Sequence, residues 1–170
     1  MTALQILLFA ALPALTIVAA LRDATTMTIP NWVSVALALL FLPAALAAGL
    51  TWPQIGLGFG LCLAGLVAGM AMFAMNWIGG GDAKLLAAVA PWMGLSAIGP
   101  FLLFTGLAGG ALSILLIGAR QAPLLAGLPM PNWLHRLLEP KGDIPYGLAI
   151  AAGALMAFPQ SSLMLSTALV

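Results

Sequence analysis

Long uninterrupted apolar runs constrain this chain more than any other feature, because they leave it almost nothing to present to water. Of 170 residues, 64% are hydrophobic and 5% are charged, where soluble domains carry roughly 25% charged residues. Mean hydropathy is +1.17, so a water-soluble fold is excluded. In lipid, only helices and closed barrels satisfy the backbone. Barrel strands would alternate apolar and polar residues, whereas these runs are apolar on every side. The class is therefore all-α: a polytopic membrane protein.

A membrane crossing needs about 20 apolar residues. The sequence predicts six transmembrane helices in a single domain, over residues 4–21, 33–50, 55–75, 83–97, 99–118 and 144–165. Turn chemistry separates them at Thr28-Ile29-Pro30-Asn31, Thr51-Trp52-Pro53-Gln54, Gly79-Gly80-Gly81 and between Ser96 and Pro100. Pro91 and Gly94 interrupt the fourth, which is expected to be short or kinked. The first run is expected to be a retained helix: no positive charge precedes it and no clear small-residue cleavage site occurs before Arg22.

Arg22, Lys84, Arg120, Arg136 and Lys141 are all five of the lysines and arginines. With six spans, every one falls on the same side, which the positive-inside rule makes cytoplasmic. Both termini then face outward. The one sizeable loop, 119–143, contains Pro131-Asn132-Trp133-Leu134-His135-Arg136-Leu137, expected to be a short helix lying in the headgroup region. Trp32, Trp52, Trp77, Trp92 and Trp133 lie near span ends, as in an aromatic belt. Gly65/Gly69 and Gly106/Gly110 have the spacing of close helix contacts.

Only four acidic residues occur, and two of them border apolar runs. A carboxylate at the centre of a membrane helix costs about 2.5–3.5 kcal/mol, so such a group is a functional candidate by default. Asp82 follows Gly79-Gly80-Gly81, and Asp23 ends the first run; six spans bring both to the cytoplasmic side. Two carboxyls brought together cannot both ionise cheaply, so one holds a proton while the other remains a base. That pair can hydrolyse a peptide bond without a covalent intermediate. No other nucleophile–base set exists: the serines have no partnered histidine, His135 lies in the loop, and Cys62 lies in an apolar run, where it reads as a packing residue. A single cysteine excludes a disulfide framework and a cysteine-rich zinc module. Glu139 and Asp143 read as solvated loop acids near Arg136 and Lys141, and Lys84 as a headgroup contact. The glycines before Asp82 permit close approach of another backbone.

These residues carry a resemblance. The stretch Gly79-x-Gly81-Asp82-x-Lys84 resembles the GxGD motif of intramembrane aspartic peptidases. Asp23 followed by Ile29-Pro30-Asn31 is similar to the first-aspartate motif of prepilin peptidases, and Ile144-Pro145-Tyr146-Gly147 to the lead-in of that family's last helix. The resemblance implies an aspartic endopeptidase that removes the leader of type IV prepilins or pseudopilins at the cytoplasmic face of the inner membrane. It further implies that Asp23 and Asp82 are catalytic, with Gly79, Gly81, Lys84, Ile29, Pro30, Asn31, Pro145, Tyr146 and Gly147 around them. The short branch associated with tight-adherence (Flp-type) pili matches best. No cofactor or metal is expected, and no N-methylation, which larger relatives associate with an extra cysteine-rich domain. Expected partners are the prepilin substrate, through its leader and apolar helix, membrane lipids and the pilus-assembly machinery; no basic stripe suggests nucleic acid. Two other readings compete: a proton-coupled transporter subunit, since intramembrane acids serve as proton relays, and a non-enzymatic pilus-assembly scaffold.

Overall fold

Prolines, glycines and capping side chains set where each helix starts and stops. The structure, a computed structural model, describes residues 1–121, 130–140 and 142–168. Its helices are α1 (Ala3–Thr26), α2 (Asn31–Ala47), α3 (Trp52–Ala74), α4 (Gly80–Arg120), α5 (Asn132–Leu137), α6 (Tyr146–Ala157) and α7 (Ser162–Ala168), the last two joined by a 3-10 turn at Phe158–Gln160. No strand occurs among the described residues. Thr2 and Gln5 form a capping box at the start of α1, and Thr51 and Gln54 one at α3. Pro30 and Pro145 sit at the N-caps of α2 and α6, where a missing N–H costs nothing.

Four stretches are long and apolar enough to cross a membrane: Ala3–Thr26, Trp52–Ala74, Gly80–Arg120 and Tyr146–Thr167; Asn31–Ala47 is a shorter apolar helix. At 41 residues, α4 would be about 60 Å long if straight, twice the roughly 30 Å of hydrocarbon. It is not straight. Gly94 has φ 63° and ψ −174°, a conformation open essentially to glycine alone. Side-chain neighbours give the directions of its two arms. Along 80–93, Lys84 meets Asn31 and Trp92 meets Leu37, so this arm runs parallel to α2. Along 95–120, Ser96 meets Ser162, Thr105 lies against Gly153, and Gly109 lies against Tyr146, so this arm runs antiparallel to α6–α7. The chain turns back on itself at Gly94. The break thus falls a few residues before the expected Ser96–Pro100 position, and Pro100 is accommodated inside the second arm. A proline merely tolerates a bend there, whereas the reversal needs a positive φ that only glycine adopts cheaply.

Other boundaries also differ from expectation. α1 runs to Thr26, so Asp23 lies within its last turn, and Met27 caps it in the left-handed region at φ 54°. The short helix expected in the 119–143 loop exists as α5; the loop residues 122–129 and Lys141 lie outside the described residues.

The core is apolar and close-packed around the first arm of α4, with Leu85, Val89, Trp92 and Met93 fully buried. Trp92 corrects the aromatic-belt reading. It is 0% exposed, and its indole N–H donates to the Leu37 carbonyl at 3.0 Å, whereas Trp32, Trp52, Trp77 and Trp133 are exposed. Gly65 and Gly69 do allow close approach: a Cβ on Gly69 would meet the Ala83 Cβ and Cα at 2.9 and 3.0 Å. Gly106 and Gly110 face open space, and it is Gly109 that packs, against Tyr146 and Ala149.

Candidate active site

Asp23 and Asp82 approach the same place from opposite helix ends. Asp23 is 6% exposed and sits in the last turn of α1, while Asp82 is 8% exposed and sits in the first turn of α4. Together they line a cavity of about 370 Å³ whose walls come from Met27, the α3–α4 link at Asn76–Gly79, and the α5–α6 link at Asp143, Ile144 and Tyr146.

Each carboxylate is held by a backbone amide. Gly147 N–H donates to Asp23 Oδ2 at 2.7 Å in a buried contact, and Gly79 N–H donates to Asp82 Oδ2 at 3.2 Å. The second bond is the return half of a capping box, with the acid three residues into the helix. Asp82 Oδ1 is buried and has no hydrogen-bond partner among the described residues. A buried oxygen left so costs about 1–3 kcal/mol, and such orphans call for a functional or solvent partner.

The glycines leave room for the packing around each acid. A Cβ on Gly147 would meet Asp23 Oδ2 at 2.8 Å, Asp23 Cβ at 2.9 Å and Ile29 Cδ1 at 3.0 Å. A Cβ on Gly81 would meet Ile29 Cβ at 3.2 Å. Ile29 is therefore a buried wedge between the glycine beside Asp82 and the glycine that holds Asp23. The room left by Gly81 is filled by this side chain of the same chain, so the glycine run serves intramolecular packing here. A Cβ on Gly79 would press on Asp82 Oδ2 at 2.9 Å.

The remaining motif residues frame the site without touching the carboxyls. Lys84 Nζ donates to Asn31 Oδ1 at 2.9 Å, tying α4 to α2; neither residue lines the cavity. Pro30 ends the α1–α2 link, and fully buried Pro145 starts α6, which sets Tyr146 on the cavity wall and Gly147 on Asp23. Arg120 fastens the approach to α6: its Nε donates to the Leu137 carbonyl at 3.0 Å and its Nη2 to the Asp143 carbonyl at 2.9 Å.

Sequence reasoning missed Asp143, Asn76 and Trp77. Asp143, read as a solvated loop acid, is exposed but stands on the cavity wall, so three carboxylates face one space. Its position directly before Ile144-Pro145-Tyr146-Gly147 was the available signal. Asn76 and Trp77 precede the glycine run and line the same wall. Among the described residues no three His, Cys, Asp or Glu side chains gather as a metal-binding group.

A buried carboxyl pair with one oxygen unclaimed, facing a cavity large enough for an extended peptide segment, is chemically equipped to activate water against an amide. No curated protein and no solved structure matches the chain. The model of the type IV leader peptidase family matches residues 10–114, which include both aspartates, the Ile29-Pro30-Asn31 link and the glycine run. On that match the chain belongs to the type IV leader peptidase family.

Proposed function

We propose that this chain is an aspartic endopeptidase of the inner membrane that removes the leader of Flp-type prepilins or pseudopilins at the cytoplasmic face, with Asp23 and Asp82 as its catalytic pair. The observation that carries the reading is the convergence of two buried carboxyls, from helix ends far apart in sequence, on one cavity.

In this reading one carboxyl is ionised and the other protonated, because two adjacent carboxylates do not both ionise cheaply. The ionised one takes a proton from water as the water oxygen bonds to the scissile carbonyl carbon. The protonated one donates its proton to the carbonyl oxygen, giving a neutral gem-diol. When that species collapses, the C–N bond breaks with its electron pair on nitrogen. The first carboxyl gives its proton to the leaving amine, the second recovers one from a hydroxyl, and the pair is restored. The amides of Gly147 and Gly79 hold the carboxylates in place throughout.

The reading also takes the six apolar segments as six crossings. The two antiparallel arms of α4 count separately, and α6, the 3-10 turn and α7 together make the last. Arg22, Lys84 and Arg120 then lie at the same end as the two acids, which the positive-inside rule makes cytoplasmic. The termini lie at the other end, where Thr2, Gly49 and Thr167 line one pocket. The prepilin's leader would occupy the cavity, and its apolar helix would remain in the bilayer beside it.

Purified protein incubated with a candidate Flp-type prepilin tests the proposal. Cleavage that needs both aspartates supports it. Ion flux from reconstituted vesicles without cleavage would make the chain a transporter subunit, and unimpaired pilus assembly by a variant lacking both acids would make it a scaffold.

A further inference from the structure

We infer that the groove between α2 and α3 is a binding site for one anionic glycerophospholipid, with its phosphate at Lys84 and an acyl chain along the α2–α3 cleft. The inference does not rest on the peptidase reading. α2 and α3 meet at one end, where Phe41 stacks edge-on against Phe59 at 5.4 Å and lies against Gly58. Toward the acid end the first arm of α4 packs against both, with Ala87 and Ala83 on Gly65 and Gly69 of α3 and Lys84 on Asn31 of α2, and it floors the groove. The resulting groove has a volume of about 410 Å³.

Three side-chain stripes build it. Asn31, Ser34 and Ala38 face it from α2, Cys62 and Leu66 from α3, and Lys84, Ala87 and Ala88 from α4. These spacings put each set on one helix face. The deep wall is apolar, and the only charge is the Lys84 ammonium at one end, held by Asn31 Oδ1 at 2.9 Å and exposed beyond it. No acid lines the groove. A cation at the interface end of an apolar trough is complementary to a negative headgroup above a hydrocarbon tail.

Ser34 supplies an independent sign of a ligand. It is 8% exposed, and its hydroxyl is buried with no hydrogen-bond partner among the described residues. Serine within a helix ordinarily returns its hydroxyl to the carbonyl four residues back; Ser34 does not. It lies one turn below Asn31, where the ester carbonyl of a glycerolipid would fall beneath a phosphate bound at Lys84.

Native mass spectrometry of the detergent-solubilised protein, titrated with phosphatidylglycerol or phosphatidylcholine, tests this. The expected result is one retained phosphatidylglycerol, bound about fivefold more weakly by Lys84→Gln and not retained by Ala38→Trp, which fills the trough. Leu39→Trp, on the exposed side of the same helix, should retain it as the parent does, which controls for the bulk of the new ring. Equal retention by Lys84→Gln and the parent, or phosphatidylcholine held as tightly as phosphatidylglycerol, would overturn the inference. So would displacement of the lipid by a prepilin peptide carrying the apolar helix, which would assign the groove to the substrate.

Discussion

Asp23 and Asp82 are oriented by backbone amides, and that makes neighbouring glycines as consequential as the acids. Gly147 leaves no room for a methyl group beside Asp23. Gly147→Ala must displace either the carboxylate or the start of α6, and a displacement near 1 Å costs about 10²-fold in rate where geometry governs reaction. Cleavage by this variant is expected to fall by about that factor while the protein still accumulates in the membrane; an unchanged rate would show that the Gly147 amide does not orient the reaction. The two acids stood out in the sequence because acids are so scarce beside apolar runs. Gly147's role did not, because its partner lies 124 positions away and only the folded backbone brings the amide to the carboxylate. Asp143 was hidden for the opposite reason: an acid in a polar loop looks like any solvated acid until the loop folds over the cavity.

Helix ends place the acids, and the links between helices hold those ends together. Ile29, in the α1–α2 link, wedges between Gly81 and Gly147. Removing it in Ile29→Ala leaves a cavity of the kind that costs about 2–5 kcal/mol in a soluble core, and here the void opens between Gly81, next to Asp82, and Gly147, which holds Asp23. Its cleavage rate should drop more than its thermal midpoint in detergent, with Ile29→Val intermediate; a rate loss that only tracked unfolding would reduce Ile29 to ordinary packing. Gly94→Ala tests the reversal in α4. Its backbone conformation alone costs a non-glycine residue about 1–3 kcal/mol, and Ser162 blocks the added methyl. The variant should melt earlier, and a second change, Ser162→Gly, should restore only part of the loss. Full restoration would place the whole cost in the clash. Helix existence was readable from apolar length and turn residues. The reversal point was not, because Pro91, Gly94, Ser96 and Pro100 all offer breaks and only the fold shows that the chain turns back through a positive φ, at Gly94.

The whole molecule is a bundle of apolar segments that alternate in direction and bring their charged ends together. Apolar length and scarce charge made an all-helical membrane protein legible before any coordinates, and four stretches are long and apolar enough to cross a membrane. What the sequence withheld is how the segments nest, since the long helices are apolar on every side and no polar stripe marks an interior. The proposal stands on the two acids acting as one unit, so the direct measurement is the single-turnover rate of prepilin cleavage by Asp23→Asn, Asp82→Asn and the double variant. Each single change should lower the rate by about 10²–10⁴-fold, and the double variant should be no slower than the slower single, because a unit already broken loses nothing more. A single variant that cleaves near the parental rate, or losses that multiply in the double variant, would contradict a shared catalytic pair.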